Sequence, residues 1–214
     1  MSQSDRVQYT TMKELFANRY FVIPEYQRGY SWEKPQVNDL IEDIEHLMDN
    51  GASQPHFTGT IVAAQDGNGK QRLEIVDGQQ RLTTLTILLR VIYELDNEKY
   101  ANFHDQYFRR GEPGNAKLVL RPNDEVRNFY RDKIIDAHGC PDESDAEYNS
   151  HLNLLTAKRV ITEWLTEKSV TKRESVAKTV QNKLKFILFT PNKHKEIGIM
   201  FEVINNRGKP LTEL

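Results

Sequence analysis

The sequence lacks most of what a secreted or membrane protein needs. Its 214 residues include a single cysteine, Cys140, so an intramolecular disulfide is excluded, and no Cys/His spacing typical of structural zinc accompanies it. No apolar run approaches the roughly 20 residues of a transmembrane helix. Residues 2–5 are polar, whereas a secretory signal would be basic and then apolar. These absences predict a cytoplasmic protein.

Several catalytic signatures are also missing. The chain has no Walker A glycine-lysine loop, no His-Glu zinc helix and no Ser/His/Asp spacing. The sequence therefore disfavours a P-loop NTPase, a zinc hydrolase and a triad hydrolase.

The formal net charge of −2 hides an uneven distribution. Residues 151–195 contain ten Lys and Arg against three Asp and Glu, whereas residues 1–150 contain seventeen against twenty-five. A basic segment of this kind could contact phosphates. The alternative, which composition alone favours, is a solvated helix face.

Local patterns predict a chain of mixed helices and strands. A capping-box spacing, Thr11 to Glu14, predicts a helix to about residue 18. Other helices are predicted at residues 35–48, 82–95, 123–135 (capped by Asn123), 153–165, 173–184 and 197–204. Strands are predicted at residues 19–23, 57–65, 71–76, 118–120 and 186–189, with a hairpin turn at 66–69. Residues 100–114 show no clear period, and residues 138–150 are typical of a mobile connector.

Residues 75–81 (IVDGQQR) predict a strand that passes through a glycine turn into the long helix. A helix N-terminus has unpaired amides and a partial positive charge, so a phosphate could bind there. Gly78 would allow close backbone approach, Arg81 would add a charge-assisted contact, and Asp77 could hold Mg²⁺. The alternative, which spacing alone favours, is that Asp77 caps the helix and Arg81 pairs with a carboxylate.

Residues 26–32 (YQRGYSW) place aromatic, cationic and amide side chains in one short loop. Aromatic faces can stack on a nucleobase, and Arg28 can reach a phosphate. Alternatively, Tyr26 and Trp32 turn inward and anchor the loop. We expect Trp32 to lie mostly in the core, and Gln27 and Arg28 to stay exposed because their polar groups favour water.

Residues 205–212 (NNRGKPLT) follow the last predicted helix and again bring amides, a cation and a glycine together. Alone, this pattern is that of a helix C-cap. Because all three segments place an arginine near a glycine and an amide, Arg28, Arg81 and Arg207 are candidates to converge on one polyphosphate.

At these three segments the sequence strongly resembles the N-terminal domains of GmrSD-type restriction endonucleases. The hallmarks of that family are a Tyr-Gln-Arg-x-Tyr-x-Trp loop, an Asp-Gly-Gln-Gln-Arg motif and a late Asn-x-Arg-Gly. They stand here at residues 26–32, 77–81 and 205–208, in the same order, and bracket most of the chain. The motif at residues 77–81, continued by Leu82 and Thr83 into a helix, is the most specific of the three.

The resemblance implies an α+β fold with a ParB/sulfiredoxin-like core, in which a β-hairpin leads into a long helix, and a mainly helical lobe. We expect the core at residues 1–100, the helical lobe with a basic surface at 101–190, and a return segment at 191–214. The resemblance also implies binding and hydrolysis of a nucleoside triphosphate with Mg²⁺, in a system that defends against phage.

The resemblance assigns roles to individual residues. It implies catalytic roles for Asp77, Gln80 and Arg81, with Asp77 also a ligand of Mg²⁺. It implies nucleotide binding by Gln27, Arg28, Gly78, Gln79, Thr83, Asn205, Arg207 and Gly208. In relatives of the phosphorothioate-sensing SspE type, a matching segment is implicated in sensing modified DNA, and it corresponds here to Gln27, Arg28, Gly29 and Trp32.

One departure from the family pattern concerns the nuclease. Family members usually carry a His-Asn-His nuclease domain further along, and this sequence supplies no such ligand set. We therefore expect no DNA cleavage by this chain alone. The expected partners are DNA, including modified DNA, and a His-Asn-His nuclease domain or subunit. Whether the chain forms a homodimer is left open. The alternative to an NTPase is a non-catalytic module that binds modified DNA, and nicking by the core ranks last.

Overall fold

The computed structural model describes residues 6–49, 56–65 and 71–190 of the chain. Strands and helices alternate irregularly along these ranges. In chain order the elements are β1 (Arg6–Thr11), α1 (Met12–Phe16), β2 (Tyr20–Val22), α2 (Lys34–Asp49), β3 (His56–Gln65), β4 (Arg72–Asp77), α3 (Gln79–Leu95), α4 (Ala101–Phe103), β5 (Arg109–Arg110), β6 (Lys117–Leu118), β7 (Leu120–Arg121), α5 (Asp124–Phe129), α6 (Asn149–Thr166), α7 (Val170–Asn182) and β8 (Leu184–Thr190). The π-helical segments His104–Phe108 and Tyr130–Ile135 continue α4 and α5, and a 3₁₀ turn, Glu143–Asp145, precedes α6.

A mixed sheet with strand order β1-β8-β3-β4-β2-β7 forms the centre of the fold, and β5 and β6 pair separately. β1 and β8 are antiparallel, as are β3 and β4. β3 and β8 are parallel, and β2 is parallel to both β4 and β7. The α+β class is therefore confirmed. The predicted pairing of β3 with β4 is also confirmed, whereas its turn at residues 66–69 lies outside the described residues.

The helix α3 lies at the centre of the hydrophobic core. It is buried almost all round, which is typical of a helix inside a core and not at a surface. The amphipathic helix α2 buries one face, including Val37 and Ile44, and α6 packs against both α2 and α3. Because neighbours hold α3 on several sides, the position of its N-terminus relative to the sheet is fixed. The division of the chain at residues 100 and 190 stays a prediction.

Two segments differ from the sequence predictions. β1 was not predicted: its apolar residues Val7 and Tyr9 are both exposed, and the strand is held by its backbone pairing with β8. Residues 101–108 are helical, and they bury the rings of Phe103, Tyr107 and Phe108. Residues 104–108 are π-helical, so an α-helical period does not describe the segment.

Two further boundaries were wrong. The single strand predicted at residues 118–120 is two strands, because Leu118 pairs with Arg109 while Leu120 pairs with Phe21. The helix predicted at residues 173–184 begins at Val170 and ends at Asn182, since the residues after it enter β8 and pair with β3.

The predicted cap of the helix at residue 123 is also corrected. Asn123 precedes α5, but its side chain makes no capping bond, and its Nδ2 donates instead to the carbonyl of Gln27 (2.8 Å). The first amide of the helix, at Asp124, donates to Oε2 of Glu25 (2.7 Å). A carboxylate from the loop after β2 therefore caps α5.

Candidate functional site

The turn between β4 and α3 depends on Gly78. Its φ of 91° is left-handed, and an added Cβ would lie 3.3 Å from the carbonyl oxygen of Thr60. The first bond of the helix runs from the Leu82 amide to the Gly78 carbonyl (3.1 Å). The amides of residues 79–81 consequently have no partner within α3, and they carry the partial positive charge of the helix N-terminus. The N-cap is Gly78, so the alternative in which Asp77 caps the helix is wrong.

The guanidinium of Arg81 lies directly over the backbone of β3. At Gly59, which has a φ of 128°, an added Cβ would lie 2.6 Å from Nη1 and 2.9 Å from Cζ of Arg81. The register between β3 and β8 also shifts between Phe57 and Gly59. A glycine inside a strand commonly marks such a close approach. Gly59 therefore makes the space in which Arg81 is held.

Two carboxylates favour the charged form of Arg81. Burial lowers the pKa of this guanidinium, while Asp77 at the end of β4 and Asp43 on α2 oppose that shift. An arginine keeps its proton at neutral pH even when partly buried. The site therefore contains a positive charge whose position is fixed by β3, β4 and α2.

The loop after β2 is attached to β4 and α3 through Gln27, which was expected to be exposed and is in fact buried. Its Nε2 donates to the carbonyl of Val76 (2.8 Å), and its Oε1 accepts from Nε2 of Gln79 (3.2 Å). Its own carbonyl accepts from Asn123. The expectation was wrong because a buried amide is stable when all of its polar atoms are paired.

Gln80 and Tyr30 hold the other half of the loop. Oε1 of Gln80 accepts from the Ser31 amide (2.9 Å), and its Nε2 donates to the Gly29 carbonyl (3.1 Å). The buried Tyr30 hydroxyl lies 2.7 Å from Oγ1 of Thr84. Because Thr84 already donates to the Gln80 carbonyl, Tyr30 is the donor. The loop is thus fixed against the first two turns of α3.

The loop and the start of α3 line an open groove of about 590 Å³. Arg28 is exposed at its edge, and Tyr26 is 65% exposed, so the alternative in which Tyr26 anchors the loop is wrong. Trp32 is half-buried, with its ring against the edge of the core, and is less deeply placed than expected. The lining residues are Tyr26, Gln27, Arg28, Trp32, Val76, Asp77, Gly78, Gln79, Gln80 and Arg81.

Two of the predicted site residues lie away from this groove. An added Cβ at Gly29 would lie 2.5 Å from Oε1 of Glu125, so Gly29 faces α5. Thr83 is buried, and its hydroxyl donates to the carbonyl of Gln79 (2.9 Å). Neither residue lines the groove.

The structure brings two of the three predicted arginines together. Arg28 and Arg81 line the same groove although more than fifty residues separate them in the chain. Asn205, Arg207 and Gly208 lie outside the described residues, so their convergence stays a prediction. Within the described ranges no group of three or more His, Cys, Asp or Glu could hold a metal ion, and Asp77 is the acidic residue of the groove.

A family model described as the N-terminal domain of the GmrSD restriction endonuclease matches residues 12–214. The chain belongs to this family. The match includes both segments that form the groove, and the suspected resemblance is confirmed. No curated protein matches the chain. In the part of this GmrSD-family chain that the structure describes, no helix combines the length and the apolar character needed to span a bilayer.

Sequence reasoning missed two residues of the GmrSD-family site. Gly59 carries no motif, but it is an isolated glycine between threonines in a predicted strand, and that signal indicates a bulge or a close backbone contact. Asp43 lies on the helix α2, and its sequence neighbours give no indication that it faces Arg81. Its role depends on the packing of α2 beside α3.

Proposed function

We propose that this chain is the nucleotide-binding and nucleotide-hydrolysing domain of a modification-dependent restriction system, built on a ParB/sulfiredoxin-like core. The observation that carries the proposal is the shared groove, where Arg28, Arg81 and the first amides of α3 face the same space. Family membership supports the restriction role. DNA, including modified DNA, and a His-Asn-His nuclease domain or subunit would be its partners.

The groove has the size and chemistry that a nucleoside triphosphate needs. Its volume of about 590 Å³ lies within the usual range of small-molecule sites. The amides of residues 79–81 would bind one phosphate, and the guanidiniums of Arg28 and Arg81 would pair with its neighbours. The rings of Tyr26 and Trp32 at the edge offer surfaces on which the base could stack.

Hydrolysis needs little more than positioning and charge stabilisation. Water attacks the terminal phosphorus, the bond from that phosphorus to the bridging oxygen breaks, and a nucleoside diphosphate and inorganic phosphate are released. Because charge accumulates on the phosphate oxygens during this step, Arg28 and Arg81 would stabilise the transition state. Arg81 is pre-positioned by Gly59, so no reorganisation is required of it.

Asp77 and Gln80 have different parts in this proposal. Mg²⁺ is commonly bound through one or two carboxylates together with substrate phosphates, and Asp77 would supply such a carboxylate. The metal would then help to neutralise the phosphates. Gln80 has both ends of its amide engaged by the loop backbone, so it acts by positioning the loop that carries Arg28.

A second candidate function is a non-catalytic sensor of modified DNA. The exposed Arg28 and Tyr26 beside Trp32 favour it, since these groups can contact a nucleic acid. The buried Gln27 and the inward-facing Gly29 would then support the loop without touching DNA.

Nucleotide and DNA binding should be measured separately on the full chain to decide between the two. Phosphate release from ATP, GTP, CTP and UTP with Mg²⁺, together with calorimetric titration of each nucleotide, tests the first function. We expect binding and release for at least one nucleotide. Absence of both, with duplex DNA binding that falls steeply as salt rises, would support the sensor instead.

Gly59→Ala should weaken nucleotide binding through Arg81. The new Cβ would lie 2.6 Å from Nη1 and force the guanidinium out of its position. The left-handed backbone adds a stability cost of about 1–2 kcal/mol. Calorimetric titration and thermal unfolding would measure the two effects.

Gly114→Ala is the matched control for this substitution. Its φ of 83° imposes a similar backbone cost, but nothing lies within 4 Å of the added Cβ. Both variants should lose stability, and only Gly59→Ala should lose nucleotide affinity. Equal affinities in the two variants would show that Gly59 has no role in placing Arg81.

A further inference from the structure

A second groove lies at the opposite end of β2 and β4. Its volume is about 1210 Å³, and it shares no lining residue with the first groove. β4 begins at this groove with Arg72 and ends at the first groove with Asp77. At the usual rise of a strand these two residues are about 16 Å apart. The lining residues are Tyr20, Phe21, Val22, Gln71, Arg72, Arg109, Arg110, Gly111, Asn115, Ala116, Lys117, Leu118, Arg121, Arg127 and Arg131.

The charged side chains that line this second groove all have the same sign. They come from β4, β5, β6, β7 and the helix that begins with α5, and within the described part of the chain no acidic side chain lines the groove. The cations are Arg72, Arg109, Arg110, Lys117, Arg121, Arg127 and Arg131. A concave surface lined by one sign of charge concentrates the electrostatic field and attracts a polyanion.

The contacts that hold Arg110 in the described part of the chain are with an aromatic ring and main-chain carbonyls, and none of them is with a carboxylate. Its guanidinium lies 5.1 Å from the centre of the Tyr20 ring. The nitrogens donate to main-chain carbonyl oxygens, each at 3.1 Å, of Phe16, Arg19, Gln106 and Asp105. Carbonyl oxygens fix the group but do not neutralise it, so Arg110 contributes a full positive charge to the groove.

Carboxylates at the edge pair with other arginines of the groove, but these pairs can be exchanged. Arg109 contacts Asp136 at 2.6 Å and Arg131 contacts Asp132 at 2.6 Å, and the two acidic side chains are 40% and 50% exposed. Exposed ion pairs of this kind contribute only about 0–1 kcal/mol. A phosphate can therefore replace the carboxylate at little cost.

The carboxylates next to α5 are placed in the same way. Arg127 pairs with Glu25 at 2.9 Å, and Arg121 lies 4.0 Å from the same carboxylate. Arg127 and Arg121 also face Asp124, which is 66% exposed. Two exposed acids thus serve these two arginines. With Asp136 and Asp132 the acids at the edge number four against seven cations in the groove, so the positive charge is in excess.

We propose that this second groove binds the phosphate backbone of a nucleic acid. Seven cations in a groove of about 1210 Å³ are more than one triphosphate can engage, whereas a polymer presents phosphates at regular intervals. Of the aromatic residues in the groove, Tyr20 is half-buried with Arg110 over one face of its ring, and Phe21 is buried, so the groove offers little aromatic surface to a base. Contacts with the backbone alone do not read sequence, and binding is therefore independent of sequence.

The test uses the full chain and a fluorescent, unmodified DNA duplex of about 20 base pairs, with affinity measured by anisotropy over a series of salt concentrations. The test variant is Lys117→Gln with Arg131→Gln. The control is Lys172→Gln with Lys178→Gln, which removes the same charge from exposed lysines of α7 that do not line the groove. The groove variant should reduce the salt slope by about two, one for each lost phosphate contact, and weaken binding at least about tenfold.

Three outcomes would contradict the proposal. Wild-type affinity in the groove variant, equal weakening by the control, or no duplex binding by the wild type overturns it. Thermal unfolding checks that the groove variant is folded, and Arg121→Gln provides a second variant at the same groove should it not be. Phosphate release, measured in parallel, should be unchanged in the groove variant, so the outcome does not depend on nucleotide hydrolysis.

Discussion

Arg81→Ala should reduce phosphate release at least about 100-fold, the usual cost of removing a preorganised group that stabilises transition-state charge. Gly59, Asp77 and Asp43 hold this guanidinium in one place, so the wild-type protein needs no rearrangement to use it. Steady-state phosphate release with saturating nucleotide and Mg²⁺ would measure the loss. Arg81→Lys should have intermediate activity, because an ammonium keeps the charge but loses the bidentate geometry.

Arg159→Ala is the control for the loss of one positive charge. Arg159 is an exposed residue of α6 that pairs with Glu143, and it does not line the groove. Its replacement should leave phosphate release unchanged. Full turnover in Arg81→Ala would contradict the assignment of catalysis to this groove, whatever the control shows.

Local sequence signals predicted much of the frame that carries the site. The helical spacing of apolar residues predicted α2 and α3, and two strand-like runs on either side of a glycine-rich segment predicted β3 and β4. These signals suffice because the hydrophobic faces of helices and strands repeat with their own periods. The expectation that residues 26–32 and 77–81 share a site came from a recurring pattern, an arginine near a glycine and an amide, and the common groove is where the structure brings the two segments together.

The burial of Gln27 could not be predicted in the same way. Its stability depends on the carbonyl of Val76, which is 49 residues away in the chain. Likewise, β1 is a strand because β8 pairs with it from the other end of the described chain. In both cases the decisive partner is distant in sequence, and the local strand or helix propensity of a segment does not reveal it.

Segment charge was a poor guide to where the cations are used. Residues 151–195 have the larger basic excess, but Lys158 is buried in the core and Lys168 pairs with Glu45. The cations of the second groove come from segments that also contain many acids. A count along the chain therefore missed them, because the fold brings together basic side chains from separate elements and leaves the acids at the edge.

Glu94→Ala should be strongly destabilising, with a loss of about 3–5 kcal/mol in the free energy of unfolding. Oε1 of Glu94 lies 2.9 Å from Nζ of Lys158 and 3.1 Å from Nη1 of Arg90, and the three side chains are 11%, 1% and 4% exposed. Burial lowers the pKa of both cations, and Glu94 opposes that shift. Removing this carboxylate leaves two buried charges that share no counter-ion.

Chemical denaturation would measure this loss, with Glu98→Ala as the control because Glu98 is exposed just beyond α3. The combination Glu94→Leu with Lys158→Met should recover part of the stability, since an apolar pair can replace a buried ion pair. The recovery should be incomplete because Arg90 still needs a carboxylate, although its bonds to the carbonyls of Ile135 and Ala137 remain. Equal losses in Glu94→Ala and Glu98→Ala would show that the fold does not depend on this pairing, and that solvent reaches Lys158 despite its depth in α6.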